Sequence, residues 1–357
     1  MTTIVIAAGG TAGHVVPALA VAEALRSRGA QVEFVGGERA EAELVPAAGY
    51  PLHHIKVRGI HRSNPLKAGY AVALALRATG RARRVLRATG ADVVLGGGGY
   101  VAGPVGLAAR SLRLPLALTE ADSHLGVTNR LLARFARSVF LAFPIDGHDG
   151  PKFQVVGRPV PPGTGNVDRA AARARFGVGQ DVQCLLVFGG SLGAKRLNDA
   201  ALAAFGDAAP CAVLHVAGRR DHDELLARLR AMGSPPHYLL HAYVEPFADA
   251  LAAADLVVAR AGGSVLEVAA AGLPSILVPY PHATADHQTA NARHMEAAGA
   301  AVVVPDDELD GPRLAREVAA LLGAPDQMRA MARSAASVAR PDAAEHIAAE
   351  VLRAIEA

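Results

Sequence analysis

Short apolar runs alternate along the whole chain with longer Ala-, Leu- and Arg-rich stretches of helical period, and this alternation restricts the possible folds most strongly. The first half contains TIVIA, QVEFVG, DVVLGG, LPLALTE and RSVFLAF. The second half contains CLLVFGG, AVLHVAG, HYLLHAY, DLVVARA, PSILVPY and AAVVVP. Strands separated by helices of this length form parallel sheets. We therefore predict an α/β protein with Rossmann-like sheets.

The two halves begin in the same way, with a strand, a Gly-rich turn and a helix. IVIAAGGTAGHVVPALA opens the first half and LLVFGGSLGAKRLNDAA opens the second. A chain of 357 residues is also long for a single core, and the proline-rich segment GRPVPPGTGN separates the halves. We predict an N-terminal domain over 1–158, a linker over 159–166, a C-terminal domain over 167–339 and a last helix over 340–357.

Each Gly-rich turn leaves the first N–H groups of the following helix available, and such groups bind anions. Neither turn ends in the Gly-Lys-Ser/Thr of a P-loop, and neither spells G-x-G-x-x-G, which disfavours a nicotinamide or flavin site. Ligands of open α/β sheets bind beyond the carboxyl ends of the strands, where these turns lie. We therefore expect both turns to line a ligand site.

Charge is distributed unevenly along the chain. Through Arg158 there are 19 Lys and Arg against 10 Asp and Glu, whereas the remainder has 17 against 23. The basic half indicates contact with a negative surface; solvated arginine-rich helices are the alternative. Cys184 and Cys211 lie in apolar runs, which is typical of buried thiols in a reducing compartment. We see no signal peptide and no apolar run of about 20 residues, and expect a cytoplasmic protein.

A polar cluster in the second half has the chemistry to bind a sugar nucleotide. Glu267 follows a Gly-Gly turn, where a carboxylate can accept hydrogen bonds from the two ribose hydroxyls; a capping box with Ser264 is the alternative. His287, Gln288 and Asn291 share one helical face or its preceding turn. Amides donate and accept, which suits sugar hydroxyls, although a polar helix surface would also explain them.

Six motifs in order, GGTAGH, LGGGGYVAGP, TEADSHLGVTN, FGGSLGAKRLN, AYVEPFADALAAADLVVARAGGSVLEVAAAGLP and PHATADHQTANA, resemble the MurG family of family 28 glycosyltransferases. The resemblance runs from about Thr3 to beyond Ala301. It implies a GT-B fold: two Rossmann-like domains with parallel sheets facing across a cleft, and a C-terminal helix crossing back to the N-terminal domain. It also implies a reaction without metal or other cofactor.

The resemblance also implies roles for individual residues. His14, Glu120 and Asp122 are candidates for the general base. The residues implied to bind substrate are Thr11, Ala12, Gly13, Asp122 and Arg158 on the acceptor side and Gly190, Ser191, Gly193, Val244, Gly263, Ser264, Val265, Leu266, Glu267, His287, Gln288 and Asn291 on the donor side. Among the latter, the backbone of Val244 would contact uracil, Glu267 the ribose, and Gln288 with His287 the GlcNAc hydroxyls.

Several positions depart from the family pattern. Ala12 stands where the family has glycine, which is compatible with the loop only if its φ is negative. Thr119, Ala121 and Asp122 replace the His, Gln and Asn around Glu120. The family's GNPVR is GRPVP here, so that Pro161 occupies the arginine position. We expect Arg158 to supply that guanidinium. The loop before Glu267 is also one residue shorter than usual.

The resemblance implies an inverting transfer of GlcNAc from UDP-GlcNAc to undecaprenyl-diphosphate-MurNAc-pentapeptide (lipid I), which forms lipid II. The alternatives are a UDP-sugar transferase for another lipid or natural-product acceptor, a UDP-GlcNAc 2-epimerase, and a non-catalytic nucleotide-sugar-binding protein. No nucleic-acid partner is expected.

A stretch of the first half has the composition of a membrane-surface segment. NPLKAGYAVALALRATGRARRVLRATG mixes apolar residues with Lys67, Arg77, Arg81, Arg83, Arg84 and Arg87. A basic amphipathic helix of this kind lies on anionic lipid. A buried helix followed by a solvated one is the alternative. With the resemblance, the pattern predicts peripheral binding to the cytoplasmic face of the cell membrane, at the anionic inner-membrane surface.

Overall fold

The computed structural model describes residues 1–57, 65–190 and 194–356. The chain forms two compact units, Met1–Pro161 with Arg340–Ala357, and Pro162–Ala339. Each unit is an α/β structure with its own parallel sheet, as the alternation of apolar runs predicts.

The first unit contains a seven-stranded parallel sheet with the strand order β3-β2-β1-β4-β5-β6-β7. Its strands are β1 (Thr3–Ala7), β2 (Gln31–Gly36), β3 (Leu52–His54), β4 (Val93–Gly96), β5 (Leu116–Glu120), β6 (Ser138–Leu141) and β7 (Phe153–Val155). Its first five helices are α1 (Ala12–Ser27), α2 (Ala40–Ala47), α3 (Pro65–Ala88), α4 (Ala102–Leu112) and α5 (Val127–Leu132). All five residues of β1 are buried, because helices cover both faces of a parallel sheet.

The second unit contains a six-stranded parallel sheet with the strand order β10-β9-β8-β11-β12-β13. Its strands are β8 (Cys184–Phe188), β9 (Ala212–Val216), β10 (Tyr238–His241), β11 (Leu256–Ala259), β12 (Ser275–Leu277) and β13 (Ala301–Val303). Its helices are α6 (Arg169–Phe176), α7 (Lys195–Phe205), α8 (His222–Ala231), α9 (Phe247–Ala253), α10 (Val265–Ala270), α11 (His287–Ala297), α12 (Gly311–Leu322) and α13 (Pro325–Val338).

The last helix, α14 (Ala343–Glu356), belongs to the first unit. Ile347, Ala348 and Val351 are fully buried and join the core formed by α1 and the first sheet. The guanidinium of Arg137 also donates to the carbonyl of Ala354 over 2.6 Å. The C-terminal segment is therefore part of the core of the first unit although the second unit precedes it in the chain.

Strand order reverses at one point in each sheet. In the first sheet β1 lies between β2 and β4, and in the second β8 lies between β9 and β11. The connections after β1 and β4, and those after β8 and β11, diverge to opposite faces and leave a crevice at the carboxyl end of the sheet. Open α/β sheets bind ligands at this switch point. Both Gly-rich turns follow the first strand of such a pair.

A buried polar network connects the strands of the second sheet. His215 on β9 is fully buried, with Nδ1 2.7 Å from the hydroxyl of Tyr238 and Nε2 3.0 Å from Oδ1 of Asn198. The Asn198 amide donates to Ala217 and to Asp221, so its oxygen accepts from Nε2–H and the Tyr238 hydroxyl donates to Nδ1. The ring is therefore neutral, and burial lowers the pKa of His215 to about 3.

Acid should destabilise the second unit through His215. Because its pKa falls from 6.5 to about 3 on folding, the stabilisation is complete above pH 6.5 and is lost as pH falls toward 3. We expect the free energy of unfolding to fall by roughly 2–3 kcal/mol between pH 7 and pH 4.5. Both cysteines of the chain are buried in this unit. Unfolding of the second unit in urea exposes these two cysteines. Their labelling by a disulfide reagent that is active in acid therefore measures the unfolding of this unit.

The matched variant for this measurement is His215→Gln, whose amide can donate to Asn198 and accept from Tyr238 without titrating. It should flatten the pH dependence of the free energy of unfolding. An equally steep dependence in the variant would assign the acid sensitivity to other groups.

Candidate functional site

The first Gly-rich turn connects β1 to α1 at the switch point of the first sheet. Gly10 has a φ of +113°, which glycine adopts without strain, and Thr11 in extended conformation precedes the helix. Ala12 is the first residue of α1 and is not among the residues with positive φ. The methyl group that replaces the family's glycine is therefore compatible with this backbone, as the condition on φ requires.

A proline inside α1 creates a partner for Arg158. Pro17 has no N–H, so it cannot donate to the carbonyl of Gly13 four residues earlier. Nη2 of Arg158 donates to that carbonyl instead, over 2.8 Å, and the side chain is only 5% exposed. Arg158 thus holds the first turn of α1. Its expected contact with the acceptor substrate stays a prediction.

His14 lies between the two loops at the switch point. Its Nδ1 is 3.3 Å from Oγ1 of Thr11. Its ring packs against Gly98, which follows β4 with a φ of +88°; a Cβ there would lie 2.6 Å from Cδ2 of His14. The glycine run after β4 therefore provides the space that the imidazole occupies, and any side chain at position 98 would displace it.

Glu120 is the last residue of β5 and is buried. Its carboxylate accepts hydrogen bonds from the N–H of Gly126 (2.9 Å), Nδ2 of Asn129 (2.9 Å) and the N–H groups of Ala121 (3.1 Å) and Asp122 (3.4 Å). Burial raises the pKa of Glu120, and the bonds from Gly126 and Asn129 oppose that shift. The carboxylate organises the loop over 121–126, while Asp122 on that loop is half-buried.

Two predicted acceptor-side residues and two candidate bases meet at one small cavity of the first unit. Gly13, His14, Glu120 and Arg158 line it, together with Thr119. Its volume of about 10 Å³ corresponds to roughly one water molecule. The structure thus brings together residues that lie as far as 145 positions apart in the sequence.

The second Gly-rich turn follows β8. Gly190 has a φ of +98°, again a conformation that favours glycine. Ser191 and Gly193, which the sequence predicts to hold the donor phosphates, lie outside the described residues. The helix that follows, α7, begins at Lys195.

The predicted ribose residue lies at the other loop of the same switch point. The loop after β11 contains Gly263 and Ser264, and it leads into α10 with Val265, Leu266 and the half-buried Glu267. Ser264 is the residue before α10, and its side chain makes no capping hydrogen bond in the described structure. The Ser264 half of a capping box is therefore not formed, and the ribose contact of Glu267 stays a prediction.

The polar residues at the start of α11 differ in their environments. Gln288 accepts the N–H of Tyr280 over 2.9 Å, and His287 is half-buried. Asn291 is fully buried, and its Nδ2 donates to the carbonyl of Ala261 over 3.0 Å. Asn291 therefore supports the loop after β11 from behind. Val244, the predicted uracil contact, is 4% exposed and follows β10.

Sequence reasoning missed two buried residues that shape the first unit's loops. Asn129 holds Glu120, as described above, and Glu41 on α2 accepts the N–H of Gly10 over 2.9 Å. A glutamate in the first turn of a helix is common because its negative charge interacts favourably with the helix dipole. The sequence therefore contains no indication that Glu41 binds the loop after β1. Within the described ranges, no group of three or more His, Cys, Asp or Glu is arranged to hold a metal ion.

Profiles of two known domains match this chain. The glycosyltransferase family 28 N-terminal domain matches residues 4–141, and the family 28 C-terminal domain matches residues 184–347.

Curated relatives are similar over nearly the full length. A protein of Moorella thermoacetica named UDP-N-acetylglucosamine–N-acetylmuramyl-(pentapeptide) pyrophosphoryl-undecaprenol N-acetylglucosamine transferase is 43% identical, with 99% of each chain covered. A protein of the same name from Aeromonas hydrophila is 41% identical over 98% of this chain and 96% of its own. The crystal structure of Acinetobacter baumannii MurG matches with a TM-score of 0.77 and 32% identity, covering 99% of this chain and 100% of that one. The fold is thus GT-B, and the chain belongs to glycosyltransferase family 28, within its MurG group.

Proposed function

We propose that this chain transfers GlcNAc from UDP-GlcNAc to undecaprenyl-diphosphate-MurNAc-pentapeptide (lipid I), with inversion, and so forms lipid II. The observation that carries the proposal is the 43% identity, over 99% of the chain, to a relative named for this reaction. The loop after β1 and the loop after β11 follow strands at the switch points of their sheets, where open α/β sheets bind ligands. The two alternatives, a natural-product glycosyltransferase and a UDP-GlcNAc 2-epimerase, have no comparable support from sequence identity.

In the proposed reaction the acceptor hydroxyl attacks the anomeric carbon of GlcNAc while the bond to the UDP oxygen breaks. The attacking hydroxyl loses its proton to a base, and we assign that role to His14, since an imidazole accepts protons near neutral pH. Thr11 Oγ1 beside Nδ1 and the backbone at Gly98 orient the ring. Backbone N–H groups and the N-terminal end of α7 would stabilise the diphosphate that leaves.

Glu120 is the weaker candidate for the base. Both of its carboxylate oxygens accept N–H bonds, and three of these come from the backbone of the loop that it shapes. Removing the charge by protonation would weaken those bonds. We therefore propose that Glu120 positions the loop that carries Asp122, and that Asp122 contacts the acceptor sugar.

The donor half of the site is proposed to lie in the second unit. Glu267 would accept the two ribose hydroxyls, Val244 would contact uracil through its backbone, and Gln288 with His287 would bind the GlcNAc hydroxyls. Support comes from the position of the loop after β11 at the switch point of the second sheet.

The experiment that tests the function is direct. The purified protein is incubated with UDP-GlcNAc and a lipid I analogue, and UDP and disaccharide-lipid are measured together. Formation of both in equal amounts supports the proposal. UDP-GlcNAc converted to its 2-epimer without acceptor would establish the epimerase, and binding of UDP-GlcNAc without turnover would establish a non-catalytic protein.

We further propose that helices α3, α4 and α5 bind the anionic membrane surface where a lipid acceptor resides. Apolar side chains are exposed on these helices and just after α5; they are Leu76 (67%), Leu107 (44%), Leu131 (55%) and Phe135 (37%). None of the three helices contains an acidic residue. Exposed apolar groups among cationic ones are the chemistry of an interfacial surface.

The basic groups of this surface surround its apolar ones. The Leu76 face of α3 continues into Arg83 and Arg87, while Ala78, Ala82 and Leu86 pack inward. The side chains of Leu66, Lys67, Tyr70 and Val72 lie outside the described part of the chain. The guanidinium of Arg110 lies 5.6 Å from the ring centre of Phe135 and that of Arg134 lies 4.8 Å from it. No helix among the described residues is long and apolar enough to span a bilayer.

Binding to vesicles should require anionic lipid and weaken with salt. Each basic residue near an anionic surface contributes about 1 kcal/mol, so reversing Arg81, Arg83 and Arg84 to Glu should weaken binding by roughly 100-fold or more. Vesicle co-sedimentation measures this, and the affinity for UDP should not change. Reversing the exposed Arg316, Arg329 and Arg333 of the second unit is the matched control. Equal binding to neutral vesicles would contradict the proposal.

A further inference from the structure

A buried carboxylate lies behind the first Gly-rich turn. Glu41, in the first turn of α2, is fully buried. Its Oε2 accepts the N–H of Gly10 over 2.9 Å, and its Oε1 accepts the N–H of Gly37 over 2.8 Å. One side chain thus joins the loop after β1 to the loop after β2. We propose that Glu41 is a positioning residue, which holds the loop of Thr11 to His14 in the geometry that transfer requires.

Three glycines are explained by the space that this carboxylate takes. A Cβ on Gly9 would lie 2.7 Å from Oε1 of Glu41, one on Gly37 would lie 2.9 Å from the same atom, and one on Gly36 would lie 2.8 Å from Cγ. None of the three has a positive φ, so their backbones do not require glycine. A side chain at any of the three would meet Glu41 at less than 3.0 Å, and it would also meet Val101 from position 9, Leu52 from position 36 and Tyr100 from position 37.

A third loop lies beside the same carboxylate. A Cβ on Gly37 would lie 2.9 Å both from Oε1 of Glu41 and from the hydroxyl of Tyr100, which lies in the connection after β4. Burial and the charge of Glu41 raise the pKa of Tyr100. That connection also contains Gly98, against which the ring of His14 packs. Glu41 therefore links the loop that carries His14 to the loop that confines its ring.

The chemistry of the cluster requires an ionised carboxylate. Its two hydrogen-bond partners are the backbone N–H groups of Gly10 and Gly37, which only donate, and an ionised carboxylate accepts from both. An amide at position 41 would direct its own NH₂ toward one of these donors and lose at least one bond. Loss of either bond would loosen the connection between the loop after β1 and the loop after β2, while the carbonyl of Gly13 is still held by Arg158.

The consequence for the reaction rests on the proposed function, in which this loop presents the base to the acceptor. Displacement of a reacting group by about 1 Å can lower a rate by 10²-fold. We expect Glu41→Gln to lower kcat about 10–100-fold, with little change in the KM for UDP-GlcNAc, because the proposed donor contacts lie in the other unit. The Kd for UDP should stay within about twofold of wild type.

Glu43→Gln is the matched control, because Glu43 lies on the same helix and is exposed. A readout independent of turnover is amide exchange of residues 9–14, which should accelerate in Glu41→Gln and not in Glu43→Gln. An inactive wild type with accelerated exchange in Glu41→Gln would contradict the proposed function while leaving the role of Glu41 in holding the loop intact. Wild-type kcat and unchanged exchange in a folded Glu41→Gln would overturn this inference.

Gly37→Ala provides a second variant if Glu41→Gln does not fold. It keeps the glutamate at position 41 but places a methyl group 2.9 Å from the position of its Oε1. The φ of residue 37 is not positive, so alanine can adopt it. The variant should lower kcat in the same direction and accelerate exchange at residues 9–14. A folded Gly37→Ala with wild-type kcat would likewise overturn the proposal.

Discussion

His14→Ala is expected to lower kcat by about 10²–10⁴-fold, the usual contribution of a positioned general base. The variant should fold and bind UDP normally, because the ring is only half-buried and the proposed UDP contacts lie in the second unit. Wild-type activity should fall as acid protonates the base, and the variant should lose that acidic limb of its pH–rate profile. Steady-state kinetics across pH with a lipid I analogue measure both effects.

The control for this substitution is His346→Ala, since His346 is an exposed histidine of the same unit on α14. It should leave kcat and the pH profile unchanged. A folded His14→Ala with near-normal kcat would rule out His14 as the base. The role would then pass to Asp122 or Glu120, and substitution of each by its amide would distinguish them.

Glu267→Ala is expected to raise the KM for UDP-GlcNAc by roughly 30- to 1000-fold. Two charge-assisted hydrogen bonds to the ribose, formed where water is excluded, contribute about 2–4 kcal/mol, and each 1.4 kcal/mol corresponds to a factor of ten. Calorimetric titration with UDP separates this loss of binding from any change in turnover. Because Glu267 is only half-buried, the free energy of unfolding should change far less.

Glu296→Ala is the matched control, because Glu296 is an exposed glutamate near the end of α11 in the same unit. It should bind UDP as the wild type does. If Glu267→Ala instead bound UDP normally and lost stability, the carboxylate would serve the helix rather than the nucleotide, and the ribose contact would be wrong.

The strands that sequence reasoning predicted are those with strong local patterns. Each of the eleven apolar runs contains a strand of the structure, usually one to three residues shorter than the run. The strands β3 and β7 were missed. Each has three residues, lies at an edge of the first sheet and is partly exposed, so neither needs a continuous apolar sequence. Edge strands are defined by pairing with a neighbour and not by their own composition.

The site residues divide in the same way. Gly10 and Gly190 could be found from sequence because a tight turn after a buried strand requires a residue with positive φ. Glu41 and Asn129 could not be found in this way, because the type of a residue does not show whether its carboxylate or amide is buried. Arg158 was predicted to contact substrate, and its bond to Gly13 could not be anticipated, because it depends on a proline that leaves one carbonyl without its helical partner.

The sequence by itself determined the fold class, the two Rossmann-like sheets and the glycine turns that follow the first strand of each. These follow from periodicity and from backbone conformations that only certain residues adopt, which are local properties. The family was indicated by the resemblance of six ordered motifs. The tertiary structure decided which side chains hold the first turn. Glu41 reaches Gly10 from 31 positions away and Arg158 reaches Gly13 from 145 positions away. Such bonds depend on how helices pack against a sheet, which no local pattern of residues specifies.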